Sequence, residues 1–197
     1  MKRGFEGNSM CGRMNIIDDP LTQVVSDLLG IAFTARSNSD LRPTDPVSTV
    51  AHCNGGYKQL ELNWGIKPSW SKTLIMNAQS ETVASKPTFR AGFEHSRVIV
   101  PCSGWYEWRE EKGKKQKYLF HSIDGSPLYM AAVALESNTK VVTLTTKPNE
   151  QCMPYHHRMP FLVPPFAIEA WLTTPANECQ SYFSNQWQGE LKIVHCD

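Results

Sequence analysis

The sequence predicts an α+β fold: a single domain with a mostly antiparallel, barrel-like β-sheet core and a few short helices. Three observations lead there. The chain of 197 residues is long enough for one domain with a sizeable core. Eight short segments of strand character succeed one another with Pro, Gly, Asn, Asp and Lys between them, the punctuation that antiparallel strands need. No repeat, low-complexity tract or linker divides the chain.

A first helix opens the fold. Asp19 can cap it, Pro20 suits its first position, and Leu21, Val24, Val25 and Leu28 form one apolar stripe before Gly30 ends it. Strand character follows at 48–52, 59–63, 73–77, 98–101, 106–109, 118–121, 128–134 and 141–145. Two further short helices are expected. Phe89 and Phe93 share a face in one; Pro165 precedes Ile168, Trp171 and Leu172 in the other. The charged stretch 110–117 reads as a solvated hairpin tip without special chemistry.

Composition narrows the function classes. With 41% hydrophobic and 20% charged residues the chain is an ordinary globular protein rather than a disordered one. Its 20 Lys and Arg against 19 Asp and Glu leave a net charge of +1, so any nucleic-acid contact must come from local clustering. No apolar run is long enough to cross a bilayer, and residues 1–10 lack the apolar stretch of a signal peptide. A cytoplasmic protein is expected. Its six cysteines are scattered without a Cys-x-x-Cys pair, which argues for reduced thiols.

Four places carry residues suited to chemistry. Cys11 follows Met10 and precedes Gly12 and Arg13. It reads either as a small buried hydrophobe or as residue one of a chain that starts at Met10 and loses that Met. In the second case an α-amine and a thiol sit on adjacent carbons. The amine condenses with an aldehyde, and the thiol closes the imine to a five-membered thiazolidine. An α-amine has a pKa of about 7.7–8.0, so part of it is neutral and nucleophilic near physiological pH.

In the segment 75–82 an apolar strand ends in a polar cluster, where Asn77, Ser80 and Thr82 cap a turn or a helix start, or Asn77 holds a small nucleophile in place. Glu107 lies between Tyr106 and Trp108, either on a plain surface strand or desolvated by these aromatics into a general acid. His156 and His157 suit proton transfer, and adjacent residues of an extended chain face opposite ways, so one of them serves a given site. Cys152 is near them, but no complete ligand set accompanies it; neither a metal nor a cofactor is expected.

Taken together the motifs resemble the SRAP family, the SOS-response-associated peptidases that crosslink to abasic DNA. The matches are Met-Cys-Gly-Arg at 10–13, Trp-Gly-x-x-Pro-Ser-Trp at 64–70, Asn-Ala-x-Ser-Glu-Thr at 77–82, Gly-Trp-Tyr-Glu-Trp at 104–108 and His-x-Arg-Met-Pro at 156–160. They stand in the family's order and span the chain from Cys11 to about Leu172.

The resemblance implies a domain over 11–197 preceded by an N-terminal extension, residues 1–10, and roles residue by residue. Cys11 would be the crosslinking nucleophile, Asn77 would position its amine and the opened sugar, Glu107 would act as acid or base beside the imine, and His156 would move protons. Arg13, Trp70, Gln79, Arg90 and Arg158 would contact the DNA, with Lys67, Lys72, Lys86 and Arg97 as further candidates for a basic lining. The implied partner is single-stranded DNA carrying abasic sites, read without sequence preference by stacking and phosphate contacts. A monomer without membrane contact, associated with the nucleoid when bound, completes that expectation.

Three departures from the family's pattern matter. Nine residues precede Met10: either the chain starts at Met10, or residues 1–10 are a leader, or the chain cleaves itself before Cys11, and uncleaved the extension would block the Cys11 amine. Gln79 stands where the family usually has Arg, and one phosphate contact is lost with it. His157 replaces the usual Asp beside the catalytic His, and the early Asn-x-Ala-Pro segment is poorly kept within 41–46. Two rival readings stay open: a cysteine peptidase acting on other proteins, and a noncovalent single-strand DNA-binding module. Lyase activity, in which the imine eliminates the 3′ phosphate, is a possible side reaction.

Overall fold

Two stretches, Arg-Val-Ile-Val-Pro-Cys and Leu-Tyr-Met-Ala-Ala-Val-Ala-Leu, carry almost no polar side chains, and such runs are stable as strands covered on both faces. In the computed structural model, which describes residues 12–179 and 187–196, they are β6 (Arg97–Cys102) and β9 (Leu128–Leu135), paired antiparallel from Arg97 opposite Val133 to Cys102 opposite Leu128. β6 also pairs with β3 (Pro46–Cys53), and β3 forms a hairpin with β4 (Gly56–Trp64). β4 runs parallel to β10 (Lys140–Thr146), and β10 returns to pair with β9. The sheet therefore closes on itself. Short strands β5 (Asn77–Gln79) and β11 (Met159–Pro160) attach to the outer half of β10, β5 parallel and β11 antiparallel.

A second, open sheet has the order β12 (Leu191–Cys196), β8 (Lys114–Ser122), β7 (Gly104–Glu111), β1 (Met14–Ile16) and β2 (Asn38–Leu41), antiparallel throughout. The expected α+β domain with a mostly antiparallel core is what the chain forms, with two parallel pairs at β10.

The first helix, α1 (Asp18–Leu29), turns helical only past Asp19, whose backbone is extended (φ −99°, ψ 122°), and ends at Gly30 with φ 64°. It buries Leu21, Val25 and Leu29. Val24 and Leu28, expected in the buried stripe, remain 37% and 43% exposed, because a helix of 3.6 residues per turn cannot turn both of them and Leu29 onto one narrow seam. α2 (Pro87–His95) packs Phe89 and Phe93 against β6 and β9. A 3-10 turn (Pro165–Ala167) leads into α3 (Ile168–Thr173), whose buried Trp171 donates its indole N–H to Val98 O at 3.0 Å.

Arg97 departs from its expected place in a basic lining. It is 8% exposed and donates to the carbonyls of Trp171 (2.7 Å), Phe93 (2.7 Å) and Thr174 while stacking on the Phe93 and Trp171 rings. Two buried carbonyls and one half-buried one need donors at that corner, and one fork-shaped guanidinium supplies them. The segment 73–77 also differs: its ladder begins only at Asn77, while Ile75 makes an isolated bridge to Ile66.

Candidate functional site

Glu107 lies on β7, the strand at the centre of the open sheet. Side chains alternate along a strand, so Trp105 and Glu107 share one face while Tyr106 and Trp108 share the other. Trp105 stacks on Phe120 of β8 with ring centroids 5.0 Å apart, and Glu107 stands opposite Tyr118. The strands meet this closely because Gly104 has no side chain: a Cβ there would sit 2.3 Å from the Phe120 carbonyl oxygen. Glu107 is 3% exposed, so it does not lie on a plain surface strand. Its charge acts on the Cys152 thiol, which burial first and Glu107 second push up to about 12. Cys152 is thus an inert thiol beside the carboxylate.

Cys152 belongs to the turn that carries His156. Asn149 organises this turn, its side-chain Oδ1 accepting from Cys152 N at 2.9 Å and its carbonyl from Met153 N at 2.9 Å. Cys152 O in turn accepts from Tyr155 N (3.0 Å) and His156 N (3.1 Å). The hairpin of β7 and β8 grips the turn through Tyr155, which lies under the Arg109 guanidinium (4.6 Å to its centroid) and edge-on to Tyr118 and Phe120. His156 Nδ1 accepts from Arg158 N at 3.1 Å, so its neutral ring carries the hydrogen on Nε2. Burial lowers its pKa below the ordinary value, with the neighbouring charges of His157 and Arg158 adding to the effect.

Asn77 opens β5, alongside β10. Thr143 Oγ1 donates to its Oδ1 at 2.6 Å and fixes the amide's oxygen end. Four residues on, Glu81 takes a two-pronged ion pair from Arg158, 2.8 Å from Nη1 and 2.6 Å from Nη2, and Arg158 Nη2 also donates to Thr145 O at 2.7 Å. The Glu81 carboxyl is held below the usual carboxylate range chiefly by that hydrogen bonding. Arg158 thus fastens the His156 turn to the β5–β10 pair that carries Asn77. Glu107, His156 and Asn77 ride on three elements bound to one another through Cys152, Tyr155, Arg158 and Glu81.

Cys11 lies outside the described residues. The chain that leads from it is placed by Tyr106 N, which donates to Arg13 O at 3.1 Å, one position from Glu107. Arg13 Nε is 3.3 Å from Asp40 Oδ1. Asp40 is partly buried, which raises its pKa, but Arg42, Lys117 and Arg13 outweigh that and keep it low. Gln79 is exposed on β5, Trp70 is 68% exposed, and Arg90 is exposed on α2, a helix packed on strands that carry none of Asn77, Glu107 and His156. A cleft of about 1110 Å³, lined among others by Thr34, Asn38, Gln59 and Glu61, contains none of the candidate residues. Among the described residues no three His, Cys, Asp or Glu side chains are grouped to hold a metal.

Sequence reasoning missed Glu81, Asp40, Lys117 and the Arg109–Tyr155 clamp. A signal existed for one of them: Glu81 and Arg158 are opposite charges inside two of the quoted motifs.

The SOS response associated peptidase (SRAP) family model matches residues 10–196. The abasic site processing protein YedK of Escherichia coli is 30% identical over 116 residues, 55% of this chain and about half, 52%, of YedK. The abasic site processing protein YoqW of Bacillus subtilis is 26% identical over 205 residues, 91% of this chain and 87% of YoqW. A crystal structure of a phage-related protein from Bordetella bronchiseptica superposes with a TM-score of 0.77 over 94% of both chains at 22% identity, a likeness of fold. With a family model matched along nearly its whole length, this chain belongs to the SOS response associated peptidase family.

Proposed function

We propose that this chain processes abasic sites in single-stranded DNA by capturing their aldehyde covalently on Cys11. The observation that carries the reading is the buried Glu107 carboxylate, set between the chain that leads from Cys11 and the turn that holds His156. Family membership and relatives named abasic site processing proteins support it.

The chemistry asks for proton transfers in a sheltered place. The opened deoxyribose presents an aldehyde. The neutral Cys11 amine adds to it, and the Glu107 carboxylate takes the two amine protons in turn and passes them to the oxygen, which leaves as water. The thiol then adds across the imine carbon, its proton passing to nitrogen, and a thiazolidine results with one water lost overall. His156, neutral and carrying its hydrogen on Nε2, offers that hydrogen to the sugar oxygen as the ring opens. Asn77, its amide oxygen fixed by Thr143, orients the amine and the sugar.

Before any of this the Cys11 amine must be exposed. In self-processing, the Cys11 thiol attacks the Met10 carbonyl, the peptide bond breaks to release the amine, and water hydrolyses the thioester to free residues 1–10. The partner is DNA, no membrane is involved, and a monomer working in the cytoplasm suffices. Among the described residues no helix is long and apolar enough to cross a bilayer.

Intact-protein mass spectrometry before and after mixing with an oligonucleotide holding one abasic site tests the reading. The expected result is a chain beginning at Cys11 that gains the mass of the oligonucleotide. A chain made to begin at Cys11 that binds the strand but never shifts in mass would favour the noncovalent module instead. Cleavage of added peptides that depends on Cys11 would favour the general peptidase, and a cut strand would reveal the lyase branch.

A further inference from the structure

Behind the Glu107 face, three cations converge on one carboxylate. Asp40 Oδ2 accepts from Arg42 Nε (3.0 Å) and Nη2 (2.8 Å), while its Oδ1 lies 3.3 Å from Arg13 Nε and 3.5 Å from Lys117 Nζ. The cluster is held from several sides. Lys117 sits over the Tyr106 ring at 4.0 Å, and Tyr106 donates its hydroxyl to Ser39 O at 2.8 Å, which ties β2 to β7. All four charged side chains remain partly exposed, Arg42 at 63%. Arg42 Nη1 has no hydrogen-bond partner among the described residues.

One negative charge satisfies one cation. The other two are left crowded around the same oxygen atoms, and like charges a few ångströms apart repel unless a further anion joins them. Guanidinium forks already fixed in place bind a tetrahedral oxyanion with little ordering cost.

We infer that Arg13, Arg42 and Lys117 form a phosphate subsite for the captured strand, with Asp40 as the organising carboxylate and one backbone phosphodiester as the second anion. The inference rests on the proposed crosslink at Cys11, two residues before Arg13. A cation pair this close to the attacking residue would hold the strand in register before any bond forms.

The test is the salt dependence of binding of an undamaged single-stranded oligonucleotide to the chain beginning at Cys11, read by fluorescence anisotropy between about 50 and about 200 mM salt. Arg42→Gln and Lys117→Gln should each shrink the slope of log K against log salt by about 0.7, and weaken binding roughly five- to tenfold at the low-salt end. Asp40→Asn should steepen the slope, and Lys140→Gln, on the closed sheet, should leave it unchanged. Slopes for Arg42→Gln and Lys117→Gln equal to that of the unaltered protein, with the abasic crosslink still forming, overturn the subsite and leave the crosslink reading standing. An unaltered protein that neither binds nor crosslinks the strand overturns both.

Discussion

The closed sheet and the open sheet use their side chains differently. In β6 and β9 nearly every residue is buried, and the one charged side chain, Arg97, is consumed by three carbonyls. In β7 the residues Gly104 to Glu107 are buried and the rest are partly or fully exposed; in β8 buried Tyr118, Phe120 and Ser122 alternate with half-buried neighbours. The charges reach other elements: Arg109 meets Tyr155, Lys117 meets Asp40 of β2, and Glu107 acts on the Cys152 turn. The closed sheet is a frame. The open sheet carries Glu107, and the ion pair of Arg158 with Glu81 ties the His156 turn to the frame.

If that division holds, substitutions should separate stability from chemistry. Glu107→Gln keeps the shape of the open sheet but removes the proton donor. Crosslink formation should slow by about 10²–10⁴-fold while the unfolding midpoint barely moves; a rate within a factor of two of the original would remove Glu107 from the reaction. Arg97→Met should do the reverse. It leaves buried carbonyls without donors, so denaturant unfolding should show a loss of about 3 kcal/mol, with the crosslinking rate of the folded protein unchanged.

Gly104→Ala breaks the pattern on purpose, since it lies on the open sheet yet acts through the backbone. With an added methyl 2.3 Å from the Phe120 carbonyl, β7 and β8 must separate, and a loss of about 1–3 kcal/mol is expected together with slower crosslinking. Loss of rate with full stability would mean that the strand pairing is softer than its geometry implies.

The smallest effect concerns pH. His156 gives up its proton more readily folded than unfolded, so below its ordinary value of 6.5 the unfolded chain binds more protons. Its contribution to stability is therefore present above 6.5 and is lost as pH falls through the lowered folded value. In His156→Gln the urea midpoint should fall less steeply on acidification than in the unaltered protein. Identical slopes would contradict the direction of the shift.

Much of the frame was legible in sequence because its strands are local apolar runs. All eight expected segments lie in or beside a strand, and seven of them fall wholly inside β3, β4, β6, β7, β8, β9 and β10. What escaped were β1, β2, β11 and β12. β1 is three residues long and β2 is polar, and both exist only because distant strands supply their partners. The parallel pairings of β10 depend on closure of the sheet, which no local pattern encodes. At the site, Asn77, Glu107 and His156 stood out by residue type and context. Their supports did not, because Glu81 with Arg158 and Asp40 with Arg13 are contacts between residues far apart in sequence.

Closure of the larger sheet also bears on how the protein keeps to itself. A sheet edge exposes unpaired backbone groups that can recruit a strand from another molecule, the first step of aggregation. In the ring formed by β10, β4, β3, β6 and β9 each strand has a neighbour on both sides, so its long apolar strands offer no such template. The exposed borders of the open sheet fall to β2, four residues with Asp40 among them, and to β12, which carries Lys192 and His195. Short, charged borders resist pairing, and the aggregation-prone sequence is the part that has been sealed.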